Sequence, residues 1–190
     1  MEFPYAEMHA FPDGDAPHSG NPAGVVMLHR DLSDADLLGV AQSNNLSETA
    51  YLKPMGEKDQ WGLRWFTPGL EVELCGHATL ASAAWLFETG RVVGAEARFH
   101  TLSGLLKVSR LDDGRYQMDF PVIGFEPGKA DAAVISALGG GTPDAVYEVE
   151  RVHGNRYQML VFADEGQVVG LEPDIKALEA TRTNVIATAP

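Results

Sequence analysis

The sequence has a single cysteine, Cys75, among its 190 residues, which excludes a framework of intrachain disulfides. Basic residues are also scarce, because 14 Lys and Arg stand against 27 Asp and Glu and give a formal net charge of −13. Nucleic-acid binding needs clustered basic side chains, so this balance predicts no nucleic-acid partner. The same charge repels acidic substrates at long range, and any anion site must therefore be built locally.

Little in the sequence would direct export or membrane insertion. The segment Met1–Tyr5 has neither the basic region nor the apolar run of a signal peptide. The uncharged segment Ala78–Phe87 is about ten residues long, whereas a helix that spans a bilayer needs about 20. These features predict a cytoplasmic protein without a membrane partner.

The segment Ala78–Phe87 also predicts how the fold is organised. It carries no charged residue on any face, and a helix that is apolar all round is normally buried on every side. We therefore predict a central helix over residues 77–89, with Gly90 as its C-terminal stop. The start of this helix would present unpaired backbone N–H groups and a partial positive charge, which together suit a carboxylate.

The surrounding pattern predicts an α+β domain over residues 1–121, in which a curved, mainly antiparallel sheet wraps around the central helix. Ser33 is the predicted N-cap of a further helix that runs to about Asn44, since an acidic residue follows it three places on. Tight turns at Gly104 and at Asp113-Gly114 connect the later strands. The strands predicted here are Tyr5–Phe11, Ala23–Leu28, Thr49–Leu52, Trp61–Phe66, Ala95–Thr101, Gly104–Arg110 and Arg115–Phe120.

A cluster of proline and glycine over residues 121–129 marks a boundary, and residues 122–190 form a predicted second domain. This domain has outer strands but no buried helix of its own, so we interpret it as similar to the first but incomplete. Its predicted helices are Asp131–Leu138 and Asp174–Leu178, and its predicted strands are Val146–Val152, Arg156–Val161, Val168–Leu171 and Asn184–Thr188.

Three motifs occur in a characteristic order: Ser19–Val25, Asn45–Tyr51, and Phe66–Pro68 followed by Glu71 and Leu74–Thr79. Together they resemble the PhzF-like isomerases of phenazine biosynthesis, which have the diaminopimelate-epimerase-like fold. The resemblance covers essentially the whole chain. It implies two similar halves, each a curved sheet around a central helix, with the active site between the two helix starts.

The sequence departs from this family in length. Family members are usually longer and carry a second motif, Asp-Pro-Val-Thr-Gly-Ser-Ala, after the strand matched by Asn184–Thr188. The sequence ends at Pro190, before that motif. We therefore expect either a fragment of a longer chain or a natural short form.

Glu48 is the candidate acid–base group. It is flanked by Ser47 and Thr49 in an otherwise apolar and amide-rich sequence, where a partly buried carboxylate is suited to proton transfer. A solvated glutamate at the start of a strand is the alternative interpretation. The resemblance implies that the family's general acid–base residue lies at this position.

His77 opens the central helix, where a neutral imidazole can donate to a substrate oxygen or relay a proton. From the residues alone, a histidine that caps the helix by bonding nearby backbone is an equal alternative. The resemblance places the Ser19 loop near the substrate, although Ser-Gly-Asn-Pro is also simply a good turn. The candidate substrate-binding residues are Ser19, Gly20, Asn21, Gly76, Ala78 and Thr79.

Other chemistries find little support in the residues. Diaminopimelate epimerases use two cysteines, so a two-thiol racemisation cannot be completed within this chain, and we interpret Cys75 as a small buried filler. The histidines are scattered and no pair has the i, i+4 spacing of a helical zinc site, so no metal is predicted. No dinucleotide fingerprint or pyridoxal-type lysine motif occurs, so no cofactor is predicted.

The resemblance thus implies a cofactor-independent isomerase of biosynthesis that catalyses a proton shift on a small carboxylate-bearing metabolite. Glu48 would move the proton and His77 would assist. The alternative is a non-catalytic protein derived from this fold, which binds small anions or serves in assembly. An incomplete second sheet leaves open strand edges, and these predict a homodimer.

Overall fold

The computed structural model describes residues 2–14, 16, 19–120, 122–152 and 154–190, and for residues 151 and 152 it describes the backbone alone. The chain divides into two compact units, Met1–Phe120 and Pro121–Pro190. The predicted loop residues Asp15, Pro17 and His18, the boundary residue Pro121 and the histidine His153 lie outside the described residues.

The first unit contains eight strands and two helices among its described residues. They are β1 (Tyr5–Ala10), β2 (Asn21–Met27), α1 (Asp34–Asn44), β3 (Glu48–Pro54), β4 (Gln60–Phe66), β5 (Glu71–Val72), α2 (Gly76–Glu88), β6 (Glu96–Thr101), β7 (Gly104–Arg110) and β8 (Tyr116–Met118). One sheet has the order β1-β2-β3-β4-β6-β7-β8, with β5 paired to β4. The pairs β2/β3 and β4/β6 are parallel and the other pairs are antiparallel, so the sheet is mainly antiparallel, as predicted.

The helix α2 lies against the inner face of this sheet. Every residue from Cys75 to Phe87 is buried or half-buried, so the predicted all-round burial of this helix is confirmed. The helix begins at Gly76, one residue earlier than predicted, and Gly90 follows its end with a φ of +67°. No described helix is long and apolar enough to cross a membrane. The core that surrounds α2 includes Val25, Leu52, Trp65, Phe99 and Val108 from five different strands.

The helix α1 covers part of the outer face of the sheet. Ser33 caps it as predicted, because its hydroxyl accepts from the Asp36 N–H while the Asp36 carboxylate accepts from the Ser33 N–H. The Tyr51 hydroxyl donates to the Leu37 carbonyl over 2.6 Å and thereby fastens α1 to β3. Asn45 ends the helix in the left-handed conformation and turns the chain towards Glu48.

The second unit contains β9 (Phe125–Pro127), α3 (Ala132–Ala137), β10 (Ala145–Val152), β11 (Asn155–Val161), α4 (Glu165–Val169), α5 (Ile175–Thr181) and β12 (Thr183–Thr188). Its sheet has the order β12-β11-β10-β9, in which only β11 and β12 are parallel among the described strands. Val134, Leu160 and Phe162 are fully buried between the helices and this sheet.

One predicted element of the second unit is wrong. Val168–Leu171 is predicted to be a strand, but Val168 and Val169 belong to α4. The Asp164 side chain accepts from the Gln167 N–H and so caps this short helix, which stabilises it against the strand propensity of valine. The short strands β5 and β9 had not been predicted.

A truncation in α2 should therefore destabilise the first unit strongly. Leu86 is 0% exposed, so Leu86→Ala should lower the free energy of unfolding by about 2–5 kcal/mol through lost burial and a residual cavity. Urea unfolding followed by tryptophan fluorescence measures this, because Trp61, Trp65 and Trp85 all belong to the first unit. The control Leu102→Ala removes a side chain that is 67% exposed and should change the same quantity by less than about 0.5 kcal/mol. Equal effects of the two variants would contradict the central position of α2.

Candidate active site at the start of α2

Three chemically active side chains meet where β3 begins and α2 begins. The Glu48 Oε2 atom lies 3.2 Å from the His77 Nε2 atom. The Cys75 Sγ atom lies 3.4 Å from the other ring nitrogen of the same histidine, Nδ1. The structure therefore brings both predicted catalytic residues, Glu48 and His77, into one cluster and adds Cys75 to it.

The alternation of β3 aims Glu48 at α2. Side chains two apart on a strand share a face, so Glu48 faces the same way as Ala50 and Leu52, which pack in the core around α2. The intervening Thr49 and Tyr51 face α1 on the outer side, where the Asn44 amide donates to the Thr49 hydroxyl over 3.1 Å. This hydrogen bond ties the end of α1 to the start of β3 beside Glu48.

A turn after β4 and the short strand β5 direct the chain into α2. The Thr67 hydroxyl accepts from the N–H groups of Gly69 and Leu70, which closes the turn. At the helix start the Thr79 hydroxyl donates to the Cys75 carbonyl over 2.6 Å. Thr79 is fully buried, so this predicted substrate-binding residue fixes the backbone at Cys75 with its hydroxyl already engaged.

Glu48 and His77 each carry a buried polar atom without a hydrogen-bond partner in the described part of the chain. These atoms are Glu48 Oε2 and His77 Nε2, whose 3.2 Å contact does not have hydrogen-bond geometry. The two side chains are only 18% and 12% exposed, so water reaches them poorly. Buried polar atoms without partners are rare in folded proteins, and a bound ligand is one way to satisfy them.

The environment of Cys75 disfavours its thiolate. Burial, as the largest cause, and the nearby negative charge of Glu48 together raise the pKa of the Cys75 thiol to about 12, while the Ala78 N–H opposes the shift. The residue is 8% exposed and its side chain makes no capping hydrogen bond to α2. The predicted role as a buried filler agrees with this burial, but the sulfur also contacts the imidazole of His77. The spacing of two residues across the helix start is the sequence signal for that contact.

The first N–H groups of α2 belong to Gly76, His77 and Ala78, and an α-helix leaves such groups without an intrahelical acceptor. No acidic residue lies in this first turn to neutralise the partial positive charge of the helix start. The Phe120 ring packs directly on Gly76, since a Cβ atom at that position would lie 2.8 Å from the ring. Nothing in the sequence signalled this contact of Phe120.

The predicted loop of Ser19, Gly20 and Asn21 leads into β2, whose Ala23 pairs with Glu48 in the parallel register. The loop therefore enters the sheet at the end that carries Glu48. The Ser19 hydroxyl is engaged inside the loop, where it donates to the Ala16 carbonyl and accepts from the Asp13 N–H. Gly20 has a φ of +85°, and a Cβ atom there would lie 2.7 Å from the Ala10 carbonyl oxygen. Glycine is thus required at this position by the turn itself.

A curved, mainly antiparallel sheet around a buried helix is the fold of the diaminopimelate-epimerase-like class of α+β proteins. A predicted epimerase of Pseudomonas aeruginosa shares this fold with a TM-score of 0.65 over 98% of this chain and 70% of that one, at 22% identity. The predicted fold class is therefore confirmed. Within this class, the chain belongs to the PhzC-PhzF family, described as phenazine biosynthesis-like protein, which matches residues 8–190.

A curated relative and a solved structure both match nearly the whole of this chain. An uncharacterized isomerase of Pseudomonas aeruginosa is 39% identical over 179 residues, which cover 94% of this chain and 64% of that protein. The crystal structure of a PhzF-family phenazine biosynthesis protein of Enterococcus faecalis superimposes with a TM-score of 0.82 at 36% identity, over 98% of this chain and 68% of that one. The chain thus spans less than two thirds of the length of the first of these relatives.

The pKa of the Cys75 thiol, raised from 9.0 to about 12, predicts slow alkylation of the folded protein. At about pH 8, the thiolate fraction and hence the rate with iodoacetamide should be about three orders of magnitude lower than in urea. Glu48→Gln should speed the reaction of the folded protein, because it removes the negative charge that opposes the thiolate. Mass spectrometry of timed samples measures both rates. Equal rates in the folded and unfolded protein would contradict this description of the site.

Proposed function

We propose that this chain carries the acid–base site of an isomerase that moves a proton on a small carboxylate-bearing metabolite without a cofactor. The observation that carries the proposal is the buried pair of Glu48 Oε2 and His77 Nε2, which have no hydrogen-bond partner in the described chain and lie 3.2 Å apart. Membership of a family whose relatives include proteins described as isomerases supports the same conclusion.

Glu48 takes the part of the base. Its carboxylate accepts a proton from a carbon of the bound substrate and returns that proton at another carbon, so the overall change is a proton shift. A carboxylate that is mostly buried and has one oxygen, Oε2, without a hydrogen bond in the described chain suits this role. The family match supports the isomerase and does not favour the alternative, a non-catalytic anion-binding protein.

His77 and the start of α2 stabilise the charge that develops on the substrate. The imidazole donates to a substrate oxygen, and the N–H groups of Gly76, His77 and Ala78 hold the carboxylate. When the base removes a proton, negative charge spreads over the conjugated system of the substrate, where fixed N–H dipoles lower the energy of the transition state. No acidic residue in the first turn of α2 competes for these dipoles.

The decisive variant is Glu48→Gln, which keeps the shape of the side chain but cannot accept the proton. It should reduce turnover by at least about 100-fold, since general acid–base catalysis contributes roughly that much or more. The assay incubates small amino, hydroxy and unsaturated cyclic carboxylic acids with the protein in deuterated water and follows deuterium incorporation by proton nuclear magnetic resonance.

The matched control is Glu57→Gln, which changes an exposed glutamate in the turn between β3 and β4 and should leave exchange unchanged. Circular dichroism verifies that both variants fold. If Glu48→Gln retains most of the exchange activity of the parent protein, the assignment of Glu48 is wrong.

We also propose that the chain forms a homodimer. The strands β9 and β12 lie at the two ends of the sheet in the second unit, and their apolar residues Phe125 and Ile186 are 59% and 42% exposed. Unpaired edge strands with apolar side chains favour pairing with another chain.

Light scattering coupled to gel filtration should give twice the mass of the chain at micromolar concentration. Ile186→Lys should shift the protein towards the monomer, because a charge on β12 opposes pairing of that edge. Val169→Lys, which changes a residue of α4 that is 77% exposed, is the control and should leave the mass unchanged. A parent protein that is entirely monomeric would overturn the proposal.

A further inference from the structure

Glu48, Cys75 and His77 bring three different kinds of metal-binding atom close together. One atom from each side chain can be chosen so that all three lie within 4.8 Å of one another. The contacts already present are 3.2 Å between the carboxylate and the imidazole and 3.4 Å between the imidazole and the sulfur. The sequence predicted no metal because it lacks a histidine pair on one helix, but this set comes from β3 and from the start of α2.

Each of these separations by itself is close to the donor spacing around a small cation with tetrahedral geometry, although the two contacts use opposite nitrogens of the His77 ring. Ligand distances of about 2.0–2.3 Å place neighbouring donors roughly 3.3–3.8 Å apart around such an ion. The imidazole binds one ion through only one of its nitrogens. The side chain that contacts the other nitrogen must therefore rotate to reach the same ion. The Glu48 carboxylate is free to do so because its Oε2 atom has no hydrogen bond to break in the described chain.

The donor types select the class of metal. A thiolate, an imidazole and a carboxylate together favour Zn²⁺ and chemically similar thiophilic ions, whereas Ca²⁺ and Mg²⁺ prefer sites built from oxygen alone. Three protein ligands leave a fourth position open for water or for an anion.

We propose that Glu48, Cys75 and His77 form a binding site for a thiophilic divalent cation, Zn²⁺ or Cd²⁺, and that the bound ion inhibits the isomerase. On binding, the Cys75 S–H bond breaks, its proton passes to solvent, and a sulfur–metal bond forms. The binding itself does not depend on the catalytic role of these residues, whereas the inhibition rests on the function proposed above.

Inhibition follows from the use of one carboxylate for two purposes. The lone pair with which Glu48 would accept a substrate proton is donated to the cation instead, and a carboxylate bound to a divalent ion is a much weaker base. The ion would also lie beside the first N–H groups of α2, where the substrate carboxylate is proposed to bind.

The test uses the whole 190-residue chain and the metals alone. Calorimetric titration with Zn²⁺ should show one ion per chain, and titration with Co²⁺ or Cd²⁺ should produce the charge-transfer absorption of a metal–thiolate bond. Cys75→Ser should abolish that absorption and weaken the binding of Zn²⁺ by at least about tenfold, since even the loss of a residue that only supports a ligand costs 10–100-fold.

His77→Gln should weaken binding to a similar extent and provides a second variant if Cys75→Ser does not fold. His100→Asn is the control, because His100 is an exposed histidine bonded to Gln60 outside the cluster, and it should bind metal as the parent protein does. The absence of a thiolate absorption, or equal affinity in the parent protein and Cys75→Ser, would overturn the metal site without affecting the proposed function. Metal binding without loss of deuterium exchange would overturn the inhibition.

Discussion

The burial of α2 inside the curved sheet is the constraint on which the site depends. A helix enclosed on its sides by strands still has a polar start, whose first N–H groups have no acceptor within the helix. The apolar run from Ala78 to Phe87 drives the enclosure, and the turn at Thr67 and the strand β5 determine where the start of the helix emerges. That point lies at the end of the sheet where Glu48 opens β3. The hydrophobic core and the polar site are thus consequences of one packing arrangement.

The same arrangement leaves polar atoms in an unfavourable position for stability. Glu48 Oε2 and His77 Nε2 are buried and lack hydrogen bonds within the described chain, which normally costs about 1–3 kcal/mol for each group. A core selected for stability alone would have paired them or replaced them with apolar residues. We therefore interpret the missing hydrogen bonds of these two atoms as a requirement of substrate binding. The rise in the pKa of the Cys75 thiol results first from its burial and then from the nearby charge of Glu48.

Much of this could be predicted from the sequence because it depends on local patterns. The apolar segment of α2, the capping box at Ser33 and the glycine stop at Gly90 each follow from neighbouring residues, and the alternation of β3 follows from its period of two. The packing of Phe120 on Gly76 depends on tertiary geometry, for which the chain has no short-range signal. The contact of Cys75 with His77 does have a local signal, since the two residues are only two positions apart at the helix start. The strand predicted at Val168–Leu171 is wrong although its valines favour strands locally. The Asp164 cap and the packing of Val168 against the core stabilise the helix α4 there instead. The buried hydroxyl of Thr79 likewise became clear only from its bond to Cys75.

The central claim is that the start of α2 binds a carboxylate beside Glu48 and His77. The most direct measurement is a nuclear magnetic resonance titration of the ¹⁵N-labelled protein with acetate, in which the backbone amide signals are followed individually. The account predicts that the amides of Gly76, His77 and Ala78 shift together along one saturable curve, and that signals of the exposed turn at Leu102 stay constant. Shifts that are confined to other parts of the chain, or the absence of any saturable shift at residues 76–78, would contradict it.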